Sequence, residues 1–82
     1  NKFGFMNALN AGYPIMTSLK GVDDDGNIVD HEEIIVGFKT KDSTNTNKLK
    51  LILWNPLKGT TETINYIRYM DSSPKYAIII LK

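Results

Sequence analysis

His31 and Asn55 are the two residues whose types and placement together suggest chemistry. Asp30-His31-Glu32-Glu33-Ile34-Ile35-Val36-Gly37-Phe38 and Leu49-Lys50-Leu51-Ile52-Leu53-Trp54-Asn55-Pro56 both read as strands, with a polar stretch rich in Asn and Thr between them. An antiparallel hairpin centred near Ser43 sets the start of the first strand against the end of the second, so His31 faces Asn55. Directly opposed residues have Cβ atoms roughly 4.5–5.5 Å apart, close enough for a carboxamide oxygen to fix one imidazole tautomer. That is the base-and-orienter half of a nucleophilic site. The nucleophile is missing: the chain has no cysteine, and no Ser or Thr stands in a recognisable nucleophile setting.

The elements that must hold this pair can be read in outline. Phe3, Phe5, Met6 and Leu9 share one face of a helix over residues 2–10, and Gly12 sits where such a helix stops. Pro14 opens a strand over 14–20, closed by Gly21. Asp23-Asp24-Asp25-Gly26-Asn27 has the composition of a tight turn. A calcium loop with Gly26 at its sixth position would start at Gly21 and lack its first ligand. The central strands, 30–39 and 48–55, are apolar on both faces: Ile35, Leu51 and Leu53 lie with His31, while Ile34, Val36, Phe38, Ile52 and Trp54 lie opposite. Strands of that kind need a cover on each side.

The linker 40–47 is polar throughout and reads as an exposed loop, and Pro56 with Lys58-Gly59-Thr60 turns the chain sharply after Asn55. Residues 61–65 alternate as a strand, although Ile64, Tyr66, Ile67 and Met70 fit a helical turn equally well and leave the type open beyond 65. Residues 75–81 are rich in β-formers and read as the last strand. The expected fold class is α+β, with an N-terminal helix packed on an antiparallel sheet of four to five strands, in a single domain spanning 1–82.

With 82 residues, 41% of them hydrophobic and 23% charged, the chain suits one small globular unit with a modest core and not a disordered tract. A net charge of +1 selects neither nucleic acid nor an anionic membrane as partner. The charge is nonetheless uneven, because Asp23, Asp24, Asp25, Asp30, Glu32 and Glu33 fall together with no base among them. Without cysteine there are no disulfides and no thiolate metal sites within the chain, and the residues imply neither a cofactor nor a metal. The longest apolar run, residues 76–81, is too short to span a bilayer. An opening Asn-Lys suggests a fragment or a processed product of a longer protein.

Asp30-His31 followed by Ile34-Ile35-Val36-Gly37-Phe38 resembles the segment around the catalytic His of papain-like cysteine peptidases. Leu51-Ile52-Leu53-Trp54-Asn55-Pro56 is similar to the strand ending in Asn-Pro or Asp-Pro in their staphopain-like and bacteriocin-processing branches, and Gly12-Tyr13-Pro14-Ile15-Met16 resembles the strand that leads to the His. The resemblance covers roughly residues 10 to 67, in order and with matching spacing. It implies that His31 is the general base and acid and that Asn55 accepts its other ring N–H. It implies too that the Cys and the oxyanion-hole Gln lie on an upstream helical half of the same protein, acting on a peptide or protein substrate. A secreted or cell-surface bacterial setting goes with that family. On this reading the chain is the His/Asn half of a peptidase, and alone it should be inactive.

Two departures bear on that expectation. Leu57 stands near the position where the family places a Trp after its Asn, and Trp54 precedes Asn55 instead. Glu32 and Glu33 replace small or apolar residues after the His. Alternation puts Glu33 on the His31 face about one strand repeat away, roughly 6.5–7 Å. A carboxylate there favours an imidazolium. The alternative is a non-catalytic binding or interaction module that keeps the fold without the thiol.

Overall fold

The computed structural model describes residues 2–81. Its first element, α1 (Lys2–Asn10), buries Met6 and Ala8 and packs Phe5 and Leu9 against the same core, while Phe3 turns outward at 58% exposure. Gly12 ends the helix at φ 86°, the left-handed conformation that returns the Tyr13 N–H to the Ala8 carbonyl at 2.9 Å. Then come β1 (Ile15–Val22), β2 (Ile28–Lys39), a single 3-10 turn at Thr46–Lys48, β3 (Lys50–Asn55), β4 (Thr60–Asn65), α2 (Tyr66–Asp71) and β5 (Ala77–Ile79). The strands make one antiparallel sheet in the order β4-β3-β2-β1-β5, so the fold is α+β as expected.

The acidic turn joins β1 to β2. The Asp23 Oδ1 accepts the N–H groups of Asp25 and Asn27 at 3.0 and 2.8 Å, and Gly26 supplies φ 83°. From there β2 runs against β1 in strict register, Ile15 opposite Ile35 through Val22 opposite Ile28.

Against β3, the pairing departs from the expected hairpin. Ile34 faces Trp54 and Ile35 faces Leu53, but Gly37 faces Ile52 and Phe38 faces Leu51. Val36 is the extra residue of a β-bulge, which shifts the register by one and leaves its side chain 48% exposed. Because opposed residues share a face, the bulge moves Phe38 onto the Leu51 side, where it packs on the core. The sequence alternation had put Phe38 on the other face.

Both helices cover one face of the sheet. Ile15, Ile35, Leu51 and Leu53 are buried there beneath Met6, Ala8, Tyr66 and Tyr69, each fully buried aliphatic side chain contributing about 1.5–3 kcal/mol. Phe5, Tyr66 and Tyr69 form a ring cluster with centroids 5.9 to 6.4 Å apart, which ties α1 to α2. Tyr69 is anchored at its far end, its hydroxyl 2.6 Å from the Thr17 Oγ1. The other face has no helix, so the expected cover on both sides is not provided by the described residues.

The open question beyond residue 65 resolves into a strand that becomes a helix. Asn65 ends β4 and caps α2, its side chain accepting the Ile67 N–H at 2.9 Å. Tyr66 and Tyr69, three apart, then both face inward. The last strand is shorter than the β-rich run suggested: only residues 77–79 pair, with 15–17 of β1.

Candidate functional site

The helices cover only part of their face. Beyond them, towards the acidic turn and the β3–β4 loop, the same face becomes polar and opens as a groove of about 550 Å³. His31, Glu33, Asn55, Lys58 and Glu62 line it, with Leu19 and Gly21 of β1 along one wall. His31 and Asn55 thus share a face and a groove, as their spacing suggested.

They are not opposed. Continuing the register of Ile34 with Trp54 and Ile35 with Leu53 by one residue places Asn55 against Glu33, two positions from His31. The symmetric hairpin centred on Ser43 fails because Lys39 pairs with Lys50, which centres the connection beyond Ser43, and the bulge recovers only one residue of that offset. Leu19 of β1 is the residue opposite His31.

Glu33 takes the place expected for Asn55. Its Oε2 lies 2.9 Å from the His31 Nε2, so the side chains lean together and close the gap left by one strand repeat. Glu33 is 1% exposed, whereas the His31 side chain is 20% exposed to the groove. No described residue bonds to the imidazole Nδ1, which leaves that nitrogen free to meet a group from outside the chain. The other Glu33 oxygen, Oε1, is buried without a hydrogen-bond partner. Burial therefore pushes the Glu33 carboxyl above the usual carboxylate range, the Glu62 carboxylate pushes the same way, and His31 pulls it down.

The Asn55 carboxamide is engaged elsewhere. Its Oδ1 accepts the N–H groups of Leu57 and Lys58 at 3.0 and 3.4 Å, and its Nδ2 donates to the Glu62 Oε1 at 3.3 Å. Its own carbonyl takes the Gly59 N–H at 2.8 Å, closing a turn in which Gly59 adopts φ 66°. Asn55 therefore starts the turn before Pro56 and fixes the groove wall, and it does not hold the imidazole in this arrangement.

Chemically, the groove offers an imidazole with one nitrogen tied to a buried carboxylate and the other open. Such a ring can accept a proton at Nδ1 while Glu33 holds its Nε2 side in place. Glu62 was not singled out from the sequence, and only the sheet order, which brings β4 beside β3, reveals it. Among the described residues, no group of three or more His, Cys, Asp or Glu is placed to hold a metal ion. No described helix is long and apolar enough to cross a membrane.

No protein-family model, curated protein or solved structure matches the chain.

Proposed function

We propose that this chain is the His-bearing half of a papain-like cysteine peptidase, and that its catalytic partner is a Cys-bearing helical half of the same protein outside these 82 residues. The observation that supports this reading is the His31 imidazole, tied at Nε2 to buried Glu33 and open at Nδ1 beside a groove that Asn55 also lines. In the proposed reaction the partner thiol gives its proton to Nδ1, and the thiolate attacks the carbonyl carbon of a peptide bond. The imidazolium, held against Glu33, then returns that proton to the departing amine. Water, deprotonated by the same ring, releases the acyl group from sulfur. His31 is the catalytic base and acid, Glu33 is its positioning residue, and Asn55 shapes the wall through the 55–59 turn.

A second reading, a binding module without the thiol, is favoured by one specific observation: the Asn55 carboxamide oxygen is already occupied by two loop amides. Hydrolysis of casein and fluorogenic peptides by the full-length protein separates the two. The peptidase reading expects turnover that falls by roughly 10²–10⁴ in His31→Ala. Absence of turnover with a folded full-length protein would favour the binding module.

A further inference from the structure

The sheet face without helices has an order that points to what covers it. Ile78, Met16, Ile34 and Trp54 are successive opposed partners on β5, β1, β2 and β3, so they form one apolar row running straight across four strands. Ile78 and Trp54 remain 49% and 38% exposed. A row this continuous is an interface signature and not scattered surface apolarity.

The charges at the two ends of the strands are opposite in sign and unpaired. At one end the turn between β1 and β2 carries Asp23, Asp24 and Asp25, none of them in an ion pair with another described residue. At the other, Lys39, Lys41, Lys48 and Lys50 surround a concavity of about 500 Å³, equally without ion pairs. Lys39 and Lys50 are directly opposed, an arrangement that costs stability by repulsion unless an anion sits over it. Asp42, the acid of that loop, turns its carboxylate to Thr44 at 2.7 Å.

The two ends are almost equidistant from the apolar row. Ile34 lies six residues from Ile28, where the acidic turn joins β2, and five from Lys39, distances of roughly 20 and 16 Å at about 3.3 Å per residue. We propose that this face is the interface of a homodimer in which a two-fold axis runs along the apolar row. Rotation about that axis lays the row on itself and reverses the strand direction, so each Asp turn comes over the lysine concavity of the other copy. Such a contact is isologous and self-complementary. The two larger extents of the molecule, 40 and 29 Å, leave room for the roughly 800 Å² per partner that a stable interface needs. The proposal does not depend on the peptidase reading, since His31 lies on the other face of the sheet.

Sedimentation velocity of the 82-residue chain tests it, with circular dichroism to confirm that each variant is folded. The wild type should sediment at twice its 9.3 kDa monomer mass at high micromolar concentration, and salt raised to 0.5 M should weaken association at least about tenfold. Trp54→Lys should be monomeric. The charge-reversed pair Lys39→Glu/Lys50→Glu should be monomeric, as should Asp24→Lys/Asp25→Lys, whereas an equimolar mixture of these two doubly substituted chains should form heterodimers. A wild type that stays monomeric at every concentration overturns the proposal. A dimer untouched by the charge reversals, or a mixture that fails to associate, overturns it as well, by placing any contact on a different surface or in a different orientation.

Discussion

Glu33→Gln should stabilise this protein at neutral and alkaline pH, although it removes the acid closest to His31. Glu33 is 1% exposed and one of its oxygens is buried without a partner, so its ionised form carries a desolvation cost that the single contact to His31 does not offset in full. An unsatisfied buried polar group costs about 1–3 kcal/mol, and more when charged. The pH dependence follows from the direction of the shift. Burial holds the folded-state carboxyl above its unfolded value, so between the two values the folded chain binds the extra proton. The contribution of Glu33 is therefore fully present below the unfolded value, near pH 4.3, and is lost as pH rises through the folded one. Gln, close in shape to the neutral acid, does not titrate. The variant and the wild type should unfold within about 0.5 kcal/mol of each other at pH 4, and the variant should gain about 1–3 kcal/mol by pH 8. For a domain of this size each kcal/mol moves Tm by about 4–8 °C, so thermal unfolding followed by circular dichroism at pH 4, 6 and 8 resolves the effect. A Glu33→Gln chain less stable than wild type at pH 8 would refute the reasoning, because attraction between carboxylate and imidazole would then exceed the desolvation cost.

Thr17→Val should cost about 1–3 kcal/mol in urea unfolding, since it strips partners from the Tyr69 hydroxyl and the Tyr76 carbonyl in a buried site; Thr17→Val/Tyr69→Phe should cost less than the sum of the single changes. Asn55→Ala should destabilise by about 0.5–2 kcal/mol through the lost acceptor for the Leu57 and Lys58 amides, and hydrogen exchange at those two amides should accelerate while the β1–β2 amides stay protected. The isolated chain, having no cysteine, should leave casein and fluorogenic peptides uncut with or without reductant; turnover that survives repurification and disappears in His31→Ala would reveal a nucleophile other than cysteine.

Much of the fold was legible because the residues that define it act locally. Met6 and Leu9 with Gly12 mark the first helix and its stop, Asp25-Gly26 marks the hairpin turn, and Ile35, Leu51 and Leu53 declare the core face of the central strands by alternation alone. What could not be read was the register of the central pair. Nothing in Ile35-Val36-Gly37 announces a bulge at Val36, yet that single extra residue moves Phe38 to the core face, and nothing in the polar linker announces the pairing of Lys39 with Lys50 that leaves Glu33, not His31, in line with Asn55. Asn65 was equally ambiguous, since an Asn that ends a strand and one that caps a helix have the same local chemistry. At the site, the shared face of His31 and Asn55 was visible from parity. The 2.9 Å contact to Glu33 was not, because strand spacing gives backbone separations and says nothing of how long side chains lean. Glu62 reached the groove only through the pairing of β3 with β4.

The central claim is that His31 activates a thiol supplied from outside these residues, and the rate of iodoacetamide alkylation in the full-length protein measures that directly. A thiol paired with an imidazolium is largely thiolate well below the pKa near 8.5 of a free cysteine. At pH 6 the reactive cysteine of the wild type should alkylate roughly 10–100 times faster than that of His31→Ala, with the two rates converging above pH 9. Equal rates at pH 6 in wild type and His31→Ala, or a full-length protein in which no cysteine reacts faster than an ordinary thiol, would contradict the account.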